Sequence, residues 1–257
     1  MLRVILCENV ARWASEAADI IAGVVREKAR PVLILPTGGT PLPVYDALAQ
    51  SHADGMLSFA NTTTFNLDEY VGLDPAHEQS YRAFMERNLF QRVDIPAERT
   101  HVPLGIAADM AAQCEQYEQA LEQAGGADLA VLGIGGNGHI GFNEPGTSFA
   151  SRTHVVSLDE RTRRDNARFF ASLEEVPNQA VTMGLATILS ARRILLLAQG
   201  AAKASILREA LQGPVSEAVP ASLLQCHGDV VAVLDLAAAS QLEDLSVEWR
   251  AGLRQLA

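Results

Sequence analysis

Val32-Leu33-Ile34-Leu35-Pro36-Thr37-Gly38-Gly39-Thr40-Pro41 sets an uninterrupted apolar run against a glycine-rich turn, followed by a proline suited to the first position of a helix. A strand without polar alternation is buried on both faces, as strands are inside a parallel sheet covered by helices. The same pattern repeats outward from this stretch. Apolar runs at residues 4–7, 62–65, 129–132, 194–198 and 230–234 read as further buried strands. Stretches 10–28, 41–50, 81–90, 108–122, 201–211 and 246–256 read as helices. This alternation predicts an α/β protein with an open, largely parallel, doubly wound sheet, Rossmann-like, with helices on both faces. At 257 residues and 48% apolar content the chain suits one domain over residues 1–257.

Composition excludes some functions. A net charge of −11 argues against nonspecific nucleic-acid binding and confines any phosphate site to a few local donors. Cys7, Cys114 and Cys226 are odd in number and widely spaced, which favours reduced thiols in the cytoplasm, each most simply a small buried hydrophobe. The apolar run at residues 2–7 is too short for a signal-peptide core. No stretch approaches the roughly 20 apolar residues of a membrane-spanning helix. A cytoplasmic protein without membrane or nucleic-acid partners is expected.

Open parallel sheets bind ligands beyond the carboxyl ends of their strands, so the segments following the strands carry the functional reading. In Pro36-Thr37-Gly38-Gly39-Thr40-Pro41, glycines let the backbone approach a ligand and free N–H groups at a helix start suit a phosphate. Thr40 is the expected N-cap, and an ordinary capped turn is the plainer reading, since no Gly-Lys-Ser/Thr completes a nucleotide loop. Phe65-Asn66-Leu67-Asp68-Glu69-Tyr70-Val71-Gly72 places two adjacent carboxylates at a strand end, as a cap, a surface feature or a general base.

Gly133-Ile134-Gly135-Gly136-Asn137-Gly138-His139-Ile140-Gly141-Phe142-Asn143-Glu144-Pro145 contains a formal Gly-x-Gly-x-x-Gly match. A dinucleotide site needs a helix beginning inside that loop, but Gly138, Gly141, Pro145 and Gly146 interrupt one. The loop instead offers one histidine flanked by Asn137 and Glu144, groups suited to moving protons near neutrality. The remaining histidines form no metal-spaced set, so neither a metal nor a cofactor is expected. Lys203, in Gln199-Gly200-Ala201-Ala202-Lys203, falls in the first turn of a predicted helix, against the macrodipole. A bound anion would resolve that conflict; a solvated lysine is the alternative.

Together these segments resemble the glucosamine-6-phosphate deaminase family from about Pro36 to Asp235. The strongest identifiers are residues 35–41, Asn66-Leu67-Asp68-Glu69-Tyr70-Val71-Gly72, and Gly138-His139-Ile140-Gly141-Phe142-Asn143-Glu144-Pro145 with Ser151-Arg152-Thr153 after it. The related 6-phosphogluconolactonases share a Gly-His in this loop but lack the Phe-Asn-Glu-Pro run. The resemblance implies isomerisation and deamination of glucosamine 6-phosphate to fructose 6-phosphate and ammonia, in amino-sugar catabolism. It implies that Asp68 moves a proton from C2 to C1 and that His139 opens the sugar ring, with Asn137 and Glu144 as its partners. Some members carry Asp where this chain has Asn137, which cannot act as an acid or base. Phosphate recognition falls to Gly38, Gly39, Thr40, Arg168 and Lys203. Another amino-sugar phosphate, such as galactosamine 6-phosphate, is the alternative substrate, and a non-catalytic sugar-phosphate-sensing module is the alternative class.

Some members are hexamers activated by N-acetylglucosamine 6-phosphate through a basic pair after the Ser-Arg-Thr sequence. His154 and Val156 stand there in this chain. The resemblance therefore implies an unregulated enzyme, a monomer or small homo-oligomer.

Overall fold

A computed structural model describes residues 2–158, 163, 170 and 172–243. The predicted helix at 246–256 lies outside these residues. The run quoted first is β2 (Val32–Leu35). It lies within a seven-stranded sheet with β1 (Leu2–Cys7), β3 (Thr63–Asn66), β5 (Thr100–His101), β6 (Leu129–Gly133), β9 (Arg193–Ala198) and β10 (Val230–Asp235). The order is β1-β10-β9-β6-β2-β3-β5, and every pair is parallel.

Alternate residues of each strand feed two cores. Val32, Ile34, Ala130, Leu132, Ile194 and Leu196 face one side. Leu33, Leu35, Leu129, Val131, Leu195 and Leu197 face the other. The second core is closed by α1 (Val10–Glu27), α2 (Leu42–Ala53) and α3 (Tyr81–Asn88), the first by α4 (Met110–Gln123), α5 (Leu185–Leu189) and α6 (Ala204–Gln212). The doubly wound expectation therefore holds. From β2 the chain winds towards β3 and β5, and from β6 it winds the opposite way to β9 and β10. Right-handed crossovers put the intervening helices on opposite faces and leave a crevice between the carboxyl ends of β2 and β6.

A second sheet was not anticipated. β4 (Asp68–Tyr70), β8 (Gln179–Thr182) and β7 (His154–Ser157) form an antiparallel ribbon in the order β4-β8-β7. Its strands are three or four residues long, and β4 pairs with β8 across more than a hundred positions, as Asp68 does with Thr182. Local periodicity carries no record of such pairings.

Two local readings need correction. Thr40 is not the cap of α2: Pro41 holds that position, its carbonyl accepts from the amides of Val44 and Tyr45, and no side chain caps the helix. Lys203 is not inside the first turn of a continuous helix. Residues Ala201–Lys203 form a separate 3-10 turn, and Lys203 is the cap residue of α6.

Candidate active site

The crevice between β2 and β6 opens into a cavity of about 270 Å³. One wall is the loop after β2, with Thr37, Gly38 and Thr40; another is the loop after β6, with Gly135, Gly136 and His139; Lys203 closes a third side and Asp68 lies beside Leu67 and Tyr81. The sequence-predicted segments thus meet around one space. Gly39 is exposed and does not line it, and Arg168 lies outside the described residues.

The loop after β2 is held by the hydroxyl of Tyr45, a buried residue of α2, which donates to the Pro36 carbonyl at 2.6 Å. Opposite it, Lys203 Nζ donates to the Ile134 carbonyl at 2.7 Å. This bond ties the turn after β9 to the loop after β6. A neutral carbonyl, rather than an anion alone, therefore holds the ammonium at this end of the 3-10 turn. Both carboxylate oxygens of Asp235, at the end of β10, accept from the Gly200 amide and so anchor the segment that presents Lys203.

Residues 134–153 form turns and one isolated bridge between Ile140 and Asn143, with no helix. That is the feature that excludes a dinucleotide fingerprint. The His139 ring lies flat against the backbone of Gly135, where a Cβ would fall 2.3 Å from the imidazole, so only glycine makes room for it. Behind the ring, Nδ1 is 3.4 Å from Glu144 Oε2. Asn137 bridges the two residues: its Nδ2 donates to Glu144 Oε2 at 2.6 Å and its Oδ1 accepts from the His139 amide at 3.2 Å. Asn137 and Glu144 do not line the cavity; they sit behind the histidine.

The adjacent carboxylates at residues 68 and 69 have different environments. Glu69 accepts from the amides of Tyr70, Tyr81 and Arg82, gripping the start of α3. Burial pushes its pKa up, and those three hydrogen bonds oppose the shift. Among the described residues Asp68 receives no such bond. Burial first, and then the charge of Glu69, raise its pKa to about 8. A carboxyl at that value exchanges its proton near pH 8 and accepts one only in its ionised form.

Tyr81 and Phe142 line the cavity beside Asp68 and stack nearly parallel, 10° apart with centroids at 6.2 Å. Tyr70 packs against both. This aromatic cluster supplies much of the burial around Asp68. Sequence reasoning gave Tyr81 no role; the available signal was its place directly after Ser80, which caps α3. Among the described residues, no group of three or more His, Cys, Asp or Glu could hold a metal ion, and no helix is long and apolar enough to cross a membrane.

Residues 7–232 match the family described as glucosamine-6-phosphate isomerases/6-phosphogluconolactonase. The chain is 49% identical over 245 residues to the glucosamine-6-phosphate deaminase of Oceanobacillus iheyensis, covering 95% of this chain and 97% of that protein. It is 47% identical over 243 residues to that of a Thermoanaerobacter species, covering 95% and 96%. A solved structure of a monomeric glucosamine-6-phosphate deaminase superposes with a TM-score of 0.91 at 48% identity, covering 93% of this chain and 99% of that one. The 6-phosphogluconolactonase of Thermotoga maritima, at 22% identity and a TM-score of 0.72 over 91% of this chain and all of that one, shares the fold.

Proposed function

This chain belongs to the glucosamine-6-phosphate isomerase/6-phosphogluconolactonase family, and from that membership we infer that it is a glucosamine-6-phosphate deaminase. It converts glucosamine 6-phosphate and water to fructose 6-phosphate and ammonia. The observation that carries the site assignment is the convergence on one cavity of a buried carboxylate without hydrogen bonds from the described residues, the His139 imidazole and a rim that includes Gly38, Thr40 and Lys203.

The roles follow from the chemistry. The sugar enters as a closed ring. In its neutral form, His139 takes the C1 hydroxyl proton and returns one to the ring oxygen, opening the ring to the aldehyde. The carbonyl acidifies the C2 proton, which Asp68 abstracts to give an enolamine. Asp68 then delivers that proton to C1. The resulting ketimine at C2 is hydrolysed by water, releasing ammonia and leaving the ketose. Asn137 and Glu144 keep the imidazole in place through the reaction. Gly38 and Thr40 offer backbone and hydroxyl donors to the phosphate, with Gly39 at the outer edge and Lys203 as the cation. Arg168 is assigned to the same phosphate by its sequence position.

We further propose a cytoplasmic enzyme, a monomer or small homo-oligomer, without activation by N-acetylglucosamine 6-phosphate. His154 Nδ1 is already engaged by the Arg152 carbonyl at 2.7 Å, and the Val156 side chain packs against an apolar cluster. Neither supplies a cationic donor to a phosphate. The deciding experiment is ammonia release from glucosamine 6-phosphate, its galacto epimer and 6-phosphogluconolactone, with and without N-acetylglucosamine 6-phosphate. Turnover of the gluco substrate with hyperbolic kinetics is expected. Preference for the galacto epimer would change the substrate, and turnover of the lactone alone would overturn the assignment.

A further inference from the structure

Thr182 ends β8, the middle strand of the small ribbon, and pairs at one register position with Asp68 on one side and His154 on the other. Residues opposite one another in antiparallel strands project from the same face, so the Asp68 and Thr182 side chains both point towards the loop that carries His139. Thr182 is fully buried, and its Oγ1 accepts from the Phe142 amide at 3.1 Å.

Gly141, at φ +58°, turns the loop over this pair. A Cβ there would lie 2.9 Å from Thr182 Oγ1 and 3.7 Å from Asp68 Oδ2, so the backbone passes directly over both groups. The next residue of β8's exit continues the link. The Met183 carbonyl accepts from Asn143 Nδ2 at 2.7 Å, and the Met183 amide donates to the Leu67 carbonyl at 2.7 Å. One end of one short strand is thus bonded both to the segment carrying the carboxylate and to the loop carrying the imidazole.

We propose that Thr182 is a positioning residue for the proton transfer at C2: its hydroxyl fixes the Phe142 amide so that the loop sets the substrate carbon at a working distance from Asp68. This role rests on the deaminase reading and adds to it a residue that touches neither the cavity nor the reacting atoms. Proton transfer depends steeply on donor–acceptor distance, whereas phosphate recognition at the far rim does not pass through this bond. Thr182→Val keeps the shape of the side chain and removes the acceptor. Thr182→Ser keeps the acceptor and removes a methyl group.

The experiment measures kcat, KM and the primary isotope effect with glucosamine 6-phosphate deuterated at C2, alongside the folded fraction, for the wild type and both variants. Thr182→Val is expected to lower kcat by about ten- to a hundredfold with KM within about threefold, and to raise the isotope effect as proton abstraction becomes rate-limiting. Thr182→Ser is expected to restore kcat to within about threefold of wild type. A loss of rate matched by a loss of folded protein, with an unchanged isotope effect, would assign Thr182 a structural role alone and overturn the proposal. So would a Val variant as fast as wild type. If Thr182→Val does not fold, Thr182→Cys, which offers only a weak sulfur acceptor, is read by the same criteria. Absence of ammonia release by the wild type would instead overturn the deaminase reading itself.

Discussion

Asp68 and Glu118 are both buried carboxylates, and their neighbours treat them in opposite ways. Asp68, on β4, faces a cavity walled by Tyr81 and Phe142 and receives no hydrogen bond from the described residues; its pKa rises to about 8. Glu118, on α4, is also penalised by burial, but hydrogen bonds from the side chains of Thr153 and Thr187, the Thr153 amide and the Arg152 guanidinium outweigh that penalty and hold it below the ordinary value. Burial alone therefore does not set the protonation of an acid; the balance of burial against hydrogen-bond donors and neighbouring charge does. The uncompensated carboxylate lines the cavity. The saturated one fastens α4 to the start of β7 and to α5.

The comparison breaks first under Asp68→Asn, which preserves shape and removes basicity. Ammonia release should fall at least about a hundredfold, as loss of a general base implies, while sugar-phosphate binding survives. Near-normal exchange of the C2 proton with solvent in this variant would show that another group is the base. The opposite result is expected at Glu118. Glu118→Ala leaves the Thr153 and Thr187 donors without their acceptor and should cost about 2–4 kcal/mol, a Tm lower by roughly 5–15 °C, with kcat per folded molecule within about threefold of wild type. Catalytic loss without loss of Tm would reverse the roles assigned to the two acids.

Stability against pH sharpens the contrast. Because the folded pKa of Asp68 lies above its unfolded value near 4, the folded state binds the extra proton between about pH 4 and 8. The stability contributed by Asp68 is present below that window and is lost as pH rises through it. Asp68→Asn should therefore raise Tm by several degrees relative to wild type at pH 8–9, with the gain vanishing towards pH 4, at about 2–4 °C per kcal/mol. Glu118, with its pKa lowered, stabilises the fold above the usual glutamate range and loses that contribution as pH falls below it. Glu118→Gln should thus narrow its stability gap to wild type on acidification. Thermal melts of the three proteins across pH test both signs.

The smallest expected effect is at Arg152, which bridges Glu118 and Glu122 from an exposed position. Solvent screening limits such pairs, so Arg152→Ala should cost about 0.5–1 kcal/mol, less at high salt, because Glu118 keeps its threonine donors. A loss as large as that of Glu118→Ala, measured by denaturant titration, would mean that the ion pair and not the threonines compensates the buried charge.

The large sheet was legible because most of its strands are short, largely apolar runs, and β2 and β6 lead directly into glycine-rich turns, a pattern contained within ten or so neighbouring residues. The loops that meet at the cavity were legible for the same reason: a parallel sheet delivers its strand ends to one edge wherever the strands are read correctly. Sequence thus determined the α/β class and the segments that supply Gly38, Asp68, His139 and Lys203. Tertiary structure decided which of two adjacent acids, Asp68 or Glu69, faces the cavity, because that depends on the distant start of α3 taking Glu69 as its hydrogen-bond acceptor. It also decided the β4-β8-β7 ribbon and with it the position of Thr182, since strands of three or four residues, β4 and β8 paired across more than a hundred positions, gain their stability from contacts that no local stretch of chain encodes.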